Sequence, residues 1–464
     1  MKLYNTLTHT IEDFKPNDES DVKIYTCGPT VYHYAHIGNM RNYIGHDILI
    51  KTLNYLGYHV TRAMNLTDVG HLTSDSDSGE DKMMKAARRE HKTAMEIADF
   101  YTKEFFKDYD LVNCARPDIL QKATANIDMY IKMITKLIND GYAYTSGGNV
   151  YFDVTKVKDY YQLTNHIADK MVVGAREGVE EDSSKRNQAD FALWFTTSKF
   201  EHQELQWDSP WGKGYPGWHI ECSGISIKYL GEYLDIHGGG VDNIFPHHTN
   251  EIAQSESYLG HKWCNYWFHN EHLLDSSGKM SKSNGGEILT VSVLKSQGYD
   301  PLAFRFMVLN SHYRRQLLFT YDALNQAEAT LDKLRNRIAN ITDEGLLDDG
   351  EFSIYNSKFI DAISNDLNTA NALSVLYEVL KDDQVNGHTK LDLINKFDKV
   401  FSLNLINKKE VSNDEEIQNL IQKRAEAKKN KDFELADSIR DDLLAKGIEL
   451  IDTREGTTYK INEI

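Results

Sequence analysis

The first hydrophobic run, VKIYTCGPTVY (22–32), is nearly continuous and rich in β-branched residues, the pattern of a strand buried on both faces. Gly28 and Pro29 interrupt it and predict a loop. The following stretch, HIGNMRNYIGHDILIKTLNYLGY, changes to a helical period, with Ile44, Ile48, Leu49, Leu53 and Leu56 on one face. Gly57 suits the left-handed residue that closes such a helix. HVTRAMNLTDV (59–69) returns to a strand pattern. Strand, loop, helix and strand within about 50 residues predict a βαβ unit and a parallel sheet. Residues 80–145 read as mainly helical, NVYFDV (149–154) as a short strand, and 225–275 as renewed α/β alternation. From about 320 the chain is helical, as in DALNQAEATLDKLRNRIAN and NTANALSVLYEVLKD. NLINKKEVSN (404–413) reads as a polar linker. Two further helices and a hairpin, IELIDTREGTTYKI, close the chain.

The expected architecture is therefore α/β. A Rossmann-type sheet domain occupies 1–114 and 201–320, with an inserted segment at 115–200. A helical bundle follows at 321–403, and a small α+β domain at 413–464. The inserted segment contains a polar, charged stretch at 170–187. The 464-residue length fits about three domains. No run of apolar residues is long enough to span a membrane, and the first residues, MKLYNTLTHTIEDFKP, lack an apolar export signal. Four cysteines, Cys27, Cys114, Cys222 and Cys264, exclude a disulfide scaffold, and a reducing, cytoplasmic setting is expected. The 52 basic and 70 acidic side chains leave a net charge of −18. That balance argues against gripping nucleic acid by bulk positive charge, while leaving room for a local basic face. All six tryptophans fall between Trp194 and Trp267, and most are expected in the core.

Two short motifs carry candidate chemistry. His36, Gly38 and Asn39 of HIGN (36–39) stand where the first strand gives way to the first helix. In an open parallel sheet that is a phosphate and nucleotide position, served by the free N–H groups of a helix N-terminus. KMSKS (279–283) puts Lys279 and Lys282 in a polar loop between Gly278 and Gly285–Gly286. Such a pair can follow charge that develops on a phosphate. Either string alone is weak; both in one chain, in this order, are specific.

HIGN and KMSKS resemble the two signatures of class I aminoacyl-tRNA synthetases, with Asn39 where the first signature usually ends in His. YTCGPTVY (25–32), PGWHIECS (216–223), DIHGGGVD (235–242) and FPHHTNEIAQSES (245–257) are similar to the cysteinyl-tRNA synthetase family within that class. The resemblance spans essentially the whole chain. It implies ATP-dependent activation of L-cysteine and its transfer to the 3′ end of tRNA(Cys), with release of AMP and pyrophosphate. His36, Asn39, Lys279 and Lys282 are the catalytic residues it implies, and with Gly38 they would bind ATP with Mg²⁺. Gly28, Thr67, Trp218 and Asp242 would form the cysteine pocket.

The family's zinc ligands carry over as Cys27, Cys222, His247 and Glu251, for one Zn²⁺ per chain. Two sulfurs, a nitrogen and an oxygen suit tetrahedral zinc. His247 and Glu251, four apart just after Pro246, are expected on one face of a helix start. Buried, inert thiols remain the alternative for the two cysteines. A soft metal–thiolate bond would separate cysteine from serine more sharply than pocket shape can. His219, His237 and His248 would surround the metal.

In the tail, Lys423, Arg424, Lys428, Lys429 and Lys431 cluster, and ADSIRDDL and GTTYKI resemble the family's anticodon-reading domain. NLTDVGHLTSDSDSGEDKM departs from the family pattern, which sets 70–81 apart from the site. The expected state is a monomer with no membrane partner. Rival readings are a cysteine ligase of thiol biosynthesis, which would lack the tail; a zinc hydrolase, which would leave KMSKS unexplained; and a catalytically silent RNA-binding paralogue.

Overall fold

A computed structural model describes residues 1–69, 92–164, 184–196, 205–275, 278–279, 288–406, 411–429, 432–445, 448–453 and 456–461. Lys282, most of the 170–187 stretch, Lys431 and the atypical 70–81 segment lie outside the described residues.

Five parallel strands form the central sheet. In spatial order they are Cys264–Asn270, Leu234–Gly240, Val22–Thr26, Val60–Leu66 and Ile119–Lys122. Numbered along the chain this is 5-4-1-2-3, the Rossmann arrangement, whose order reverses between the first and fourth strands. Val22, Ile24, Tyr25 and all of Leu234–Gly240 are buried, because helices cover both faces. Ile119–Lys122 falls within the stretch expected as an inserted segment, yet it pairs with Val60–Leu66 and forms the sheet edge. Its composition, ILQK, carries little strand signal.

The helix Ile37–Tyr55 follows the first strand. Gly57 closes it with φ +93°. Gly45 lets it pack on the last strand, since a Cβ there would lie 1.9 Å from Asn270 Oδ1. A second, antiparallel sheet joins Ala143–Ser146, Asn149–Phe152, Phe191–Phe195 and Tyr215–Pro216. Trp194, Trp263 and Trp267 are fully buried. A third, three-stranded ribbon joins Leu273–Asp275 to Gly278–Lys279 on one side and to Leu317–Leu318 on the other.

Helices Tyr321–Ala339, Asp349–Ser364, Thr369–Lys381 and Gly387–Phe401 build the helical region. Phe359 and Phe397 stack at 4.0 Å within it. This region shares one compact unit, Met1–Leu405, with the sheet domain; Ile406–Ile464 forms a second unit. The second unit contains helices Val411–Lys429 and Phe433–Ala445 and the hairpin Ile448–Thr453/Gly456–Ile461. Ile421, Ile439, Leu443 and Ile448 supply its small core. Among the described residues no helix is long and apolar enough to cross a membrane.

Candidate active site

The site forms at the reversal of strand order, the position where open α/β sheets bind ligands. Cys27 leaves the first strand with its amide donating to Gly238 O on the fourth. Gly28 follows, donating its amide to Asn65 Oδ1 at 2.7 Å. A Cβ at Gly28 would lie 1.7 Å from Asn65 O, so a side chain there cannot be accommodated without moving backbone. Reciprocal backbone bonds, Thr67 N–H to Pro29 O and Val31 N–H to Thr67 O, lace this loop to the end of the second strand.

Cys222 projects from the helix Trp218–Leu230. His247 and Glu251 come from the segment after the fourth strand. Here the expectation from Pro246 needs correcting: the α-helix begins at Thr249, and His247 sits in the wider turn Ile244–His248 before it. Four ligand atoms, from Cys27, Cys222, His247 and Glu251, lie within 4.8 Å of one another, all in buried residues. Cys27, His237, His248 and Glu251 make a second, overlapping set.

The surrounding bonds separate the two sets. His237 Nε2 donates to Glu251 Oε2 at 3.0 Å and stacks on Trp267 at 4.7 Å. His248 Nε2 lies 3.2 Å from Cys27 Sγ, while its Nδ1 meets His269 Nε2 at 2.8 Å. His269 Nδ1 in turn meets Thr6 Oγ1 at 2.8 Å. These histidines thus support Cys27 and Glu251 from outside, in the manner of a second coordination layer. Glu251 Oε1, by contrast, accepts no hydrogen bond from the described residues and ends 3.0 Å from His247 Nε2.

Electrostatics point the same way. Burial lifts the Glu251 carboxyl to a pKa of about 8. Burial also drives the Cys222 thiol well up, aided by Cys27. Cys27 is pulled down by the Cys222 hydrogen bond, but burial and the carboxylates of Glu251 and Asp242 leave it raised. Burial holds His237 and His269 neutral, at about 3. Three buried acidic groups facing each other favour a divalent cation, whose charge would reverse each of these shifts. The donor set of two sulfurs, one nitrogen and one oxygen, with an orphaned carboxylate oxygen, fits zinc.

Trp218 stacks on His247, ring centres 4.5 Å apart, and His219 Nδ1 meets His247 Nδ1 at 2.9 Å. Asp242 lies in the one-turn helix Val241–Asn243 at the exit of the fourth strand. Thr67 is buried; its hydroxyl donates to Glu221 Oε2 and accepts from Asn65 Nδ2. Asn65, Glu221 and His269 were not singled out in the sequence. Polar residues inside otherwise apolar elements were the available hint.

At the same edge of the sheet, HIGN forms a reciprocal cap. Asn39 N–H donates to His36 Nδ1 at 3.1 Å, and His36 N–H donates to Asn39 Oδ1 at 3.2 Å. With Nδ1 accepting, a neutral His36 carries its proton on Nε2. Asn39 explains itself: a carboxamide oxygen caps as well as any acceptor. Gly38 lies in the first turn. Lys279 is placed by backbone pairing opposite Leu274.

A Rossmann sheet with this capped helix, and with Lys279, the first residue of KMSKS, at the end of a ribbon, defines a class I aminoacyl-tRNA synthetase. The family described as "tRNA synthetases class I (C) catalytic domain" matches residues 13–329, and a DALR domain matches 358–405. The cysteine–tRNA ligase of Treponema denticola is 46% identical, over 99% of each chain. That of Borrelia garinii subsp. bavariensis is 44% identical, also over 99% of each chain. The chain belongs to the cysteine–tRNA ligase family. The solved methionyl-tRNA synthetase of Mycobacterium tuberculosis in complex with methionyl-adenylate shares the fold, with TM-score 0.57 at 12% identity, over 83% of this chain and 90% of that one.

Proposed function

We propose that the chain activates L-cysteine with Mg·ATP and transfers it to the 3′ end of tRNA(Cys), as a cytoplasmic monomer. The observation carrying this reading is the convergence of Cys27, Cys222, His247 and Glu251 beside the helix capped by His36 and Asn39. Those four residues would hold one zinc ion. Bound there, zinc supplies a soft Lewis acid that takes the substrate sulfur as thiolate and a serine hydroxyl far more weakly.

The protein groups do the rest by position and charge. Trp218 walls the side-chain pocket, with Gly28 and Thr67 lining its floor, and Asp242 receives the substrate ammonium. The substrate carboxylate oxygen bonds to the α-phosphorus, and the bond to pyrophosphate breaks. His36, presenting Nε2–H, acts with Gly38, Asn39 and the helix N-terminus on the phosphates. Lys279 and Lys282 offset charge that builds during displacement. A hydroxyl at the tRNA 3′ end then attacks the acyl carbon, and AMP leaves with the electron pair. No general base is required of the protein; proximity and electrostatics supply the acceleration.

In this reading the sheet domain (1–114 and 201–320, with the edge strand Ile119–Lys122) catalyses, the rest of 115–200 is inserted, the bundle 321–403 follows, and 413–464 reads the anticodon. Lys423, Lys428 and Lys429 are exposed on the helix Val411–Lys429, a surface suited to an RNA loop. Four free, buried thiols accord with a reducing compartment. The test is transfer of labelled cysteine to total tRNA with ATP and Mg²⁺, for wild type and Cys222→Ser. Charging by wild type, with loss in a folded variant that has lost zinc, supports the reading. Adenylate formation by wild type without tRNA charging contradicts it in favour of a biosynthetic cysteine ligase.

A further inference from the structure

Arg41 stands two residues past Asn39 and is 2% exposed. A buried guanidinium needs partners. Among the described residues two backbone carbonyls serve: Nη1 donates to His272 O and Nη2 to Arg315 O. Burial lowers its pKa to about 10, and the Glu271 carboxylate works against that shift, so the group stays charged near neutrality.

The two carbonyls mark the feet of the ribbon. His272 immediately precedes Leu273–Asp275, and Arg315 stands just before Leu317–Leu318. These strands pair in parallel, Leu273 opposite Leu317. Leu317 N–H also donates to His272 O, and Phe319 N–H to Leu274 O. On its other side Leu273–Asp275 pairs with Gly278–Lys279, setting Leu274 opposite Lys279. Beyond KMSKS, Leu289 O accepts from the amide of Ile37, in the first turn of the Arg41 helix. The two ends of the stretch that carries KMSKS are therefore both hydrogen-bonded to the helix that carries HIGN.

We infer that Arg41 is a positioning residue for the reaction: its fork sets the register between the helix bearing His36 and Asn39 and the ribbon bearing Lys279. This rests on the ATP-dependent activation proposed above. The planar fork spans two separate carbonyls. A lysine ammonium keeps the charge but is a flexible point donor and does not hold both in one geometry. Misplacing a catalytic group by about 1 Å costs on the order of 100-fold in rate.

The experiment is cysteine-dependent ATP–pyrophosphate exchange on the full-length, zinc-loaded chain, wild type against Arg41→Lys. Arg305→Lys is the control for core damage. Arg305 is as buried as Arg41 and also holds the HIGN helix, through Asp47, but its other partners, the backbone carbonyls of Phe401 and Val112, lie away from the ribbon. For Arg41→Lys we expect kcat to fall about 10- to 100-fold. Its KM for cysteine and its zinc content stay at wild-type values, because the thiol pocket is untouched. Arg305→Lys should lower the melting temperature while keeping kcat within about three-fold. If Arg41→Lys does not fold, Arg41→Gln, neutral and shorter, takes its place with the same expectation. Wild-type kcat in the Arg41 variant, or an equal kcat loss in Arg305→Lys, overturns the inference. A wild type with no exchange at all instead overturns the proposed function, and this inference with it.

Discussion

Two buried acids in this protein meet opposite fates. Asp47, in the helix that carries HIGN, is fully buried beside cations of the protein itself. Arg305 Nη2 reaches it at 2.6 Å, Lys51 Nζ at 2.7 Å, and the Ala115 amide at 2.8 Å. Burial pushes its pKa up, but Arg305 and Lys51 outweigh burial and hold it below the usual carboxylate range. Glu251 is just as buried, but it faces histidines and thiols, and burial lifts it to about 8. One carboxylate is a finished structural joint, tying the HIGN helix to the loop at 112–115 and, through Arg305, to the end of the helix Gly387–Phe401. The other has an oxygen that no described residue hydrogen-bonds, and two thiols and an imidazole around it. The difference teaches how a binding site is told from a core: a structural acid has its counter-charge built into the chain, and a functional one leaves it to a ligand.

The comparison can be broken from either side. The largest effect is expected for Glu251→Gln, which keeps the shape and removes the charge. Zinc should be lost from the purified protein, measured by mass spectrometry. Cysteine activation should fall by more than the roughly 100-fold that an outer-layer change causes. Retained stoichiometric zinc in Glu251→Gln would count against the assignment. Next comes Asp47→Asn. It leaves Arg305 buried without its counter-charge and should cost about 3–5 kcal/mol in urea unfolding, with zinc content unchanged. A cost below about 1 kcal/mol would mean that this joint behaves like a surface pair.

A smaller effect is expected for His237→Phe. The ring can still stack on Trp267, but the donor to Glu251 Oε2 is gone. Zinc affinity should weaken about 10- to 100-fold, read by competition with a chelating dye. The smallest effect concerns acid. A carboxyl whose folded pKa is depressed contributes stability above its unfolded value of about 3.9 and loses it as pH falls through the folded value. Wild type should therefore lose melting temperature more steeply than Asp47→Asn below about pH 4. Parallel melting curves for the two proteins would remove Asp47 from the acid response.

How much of this was open to reading depends on whether a feature is local. The HIGN helix, its closing Gly57 and the buried strands around it follow from spacing, because their causes lie within a few residues. The cap between His36 and Asn39 is local too, though HIGN by itself did not announce a cap. The order of the five strands is not local. It alone brings Cys27 within reach of Cys222, 195 positions away along the chain, and that set was named through resemblance rather than spacing. Ile119–Lys122 was hidden because an edge strand of four residues has almost no pattern. The start of the helix at Thr249 is not legible because the wider turn Ile244–His248 encloses Pro246 and delays it. Arg41 and Asp47 sit in the most legible helix of the chain, yet their partners, His272, Arg315 and Arg305, are more than 200 residues downstream.

The central claim is that Cys27, Cys222, His247 and Glu251 hold a metal that recognises the substrate thiol. Pyrophosphate exchange with cysteine and with serine, on protein stripped of metal and then reloaded with zinc, tests it most directly. The account predicts no exchange in the stripped protein, recovery with zinc and cysteine, and none with serine in either state. Full cysteine-dependent exchange by verified metal-free protein would contradict it.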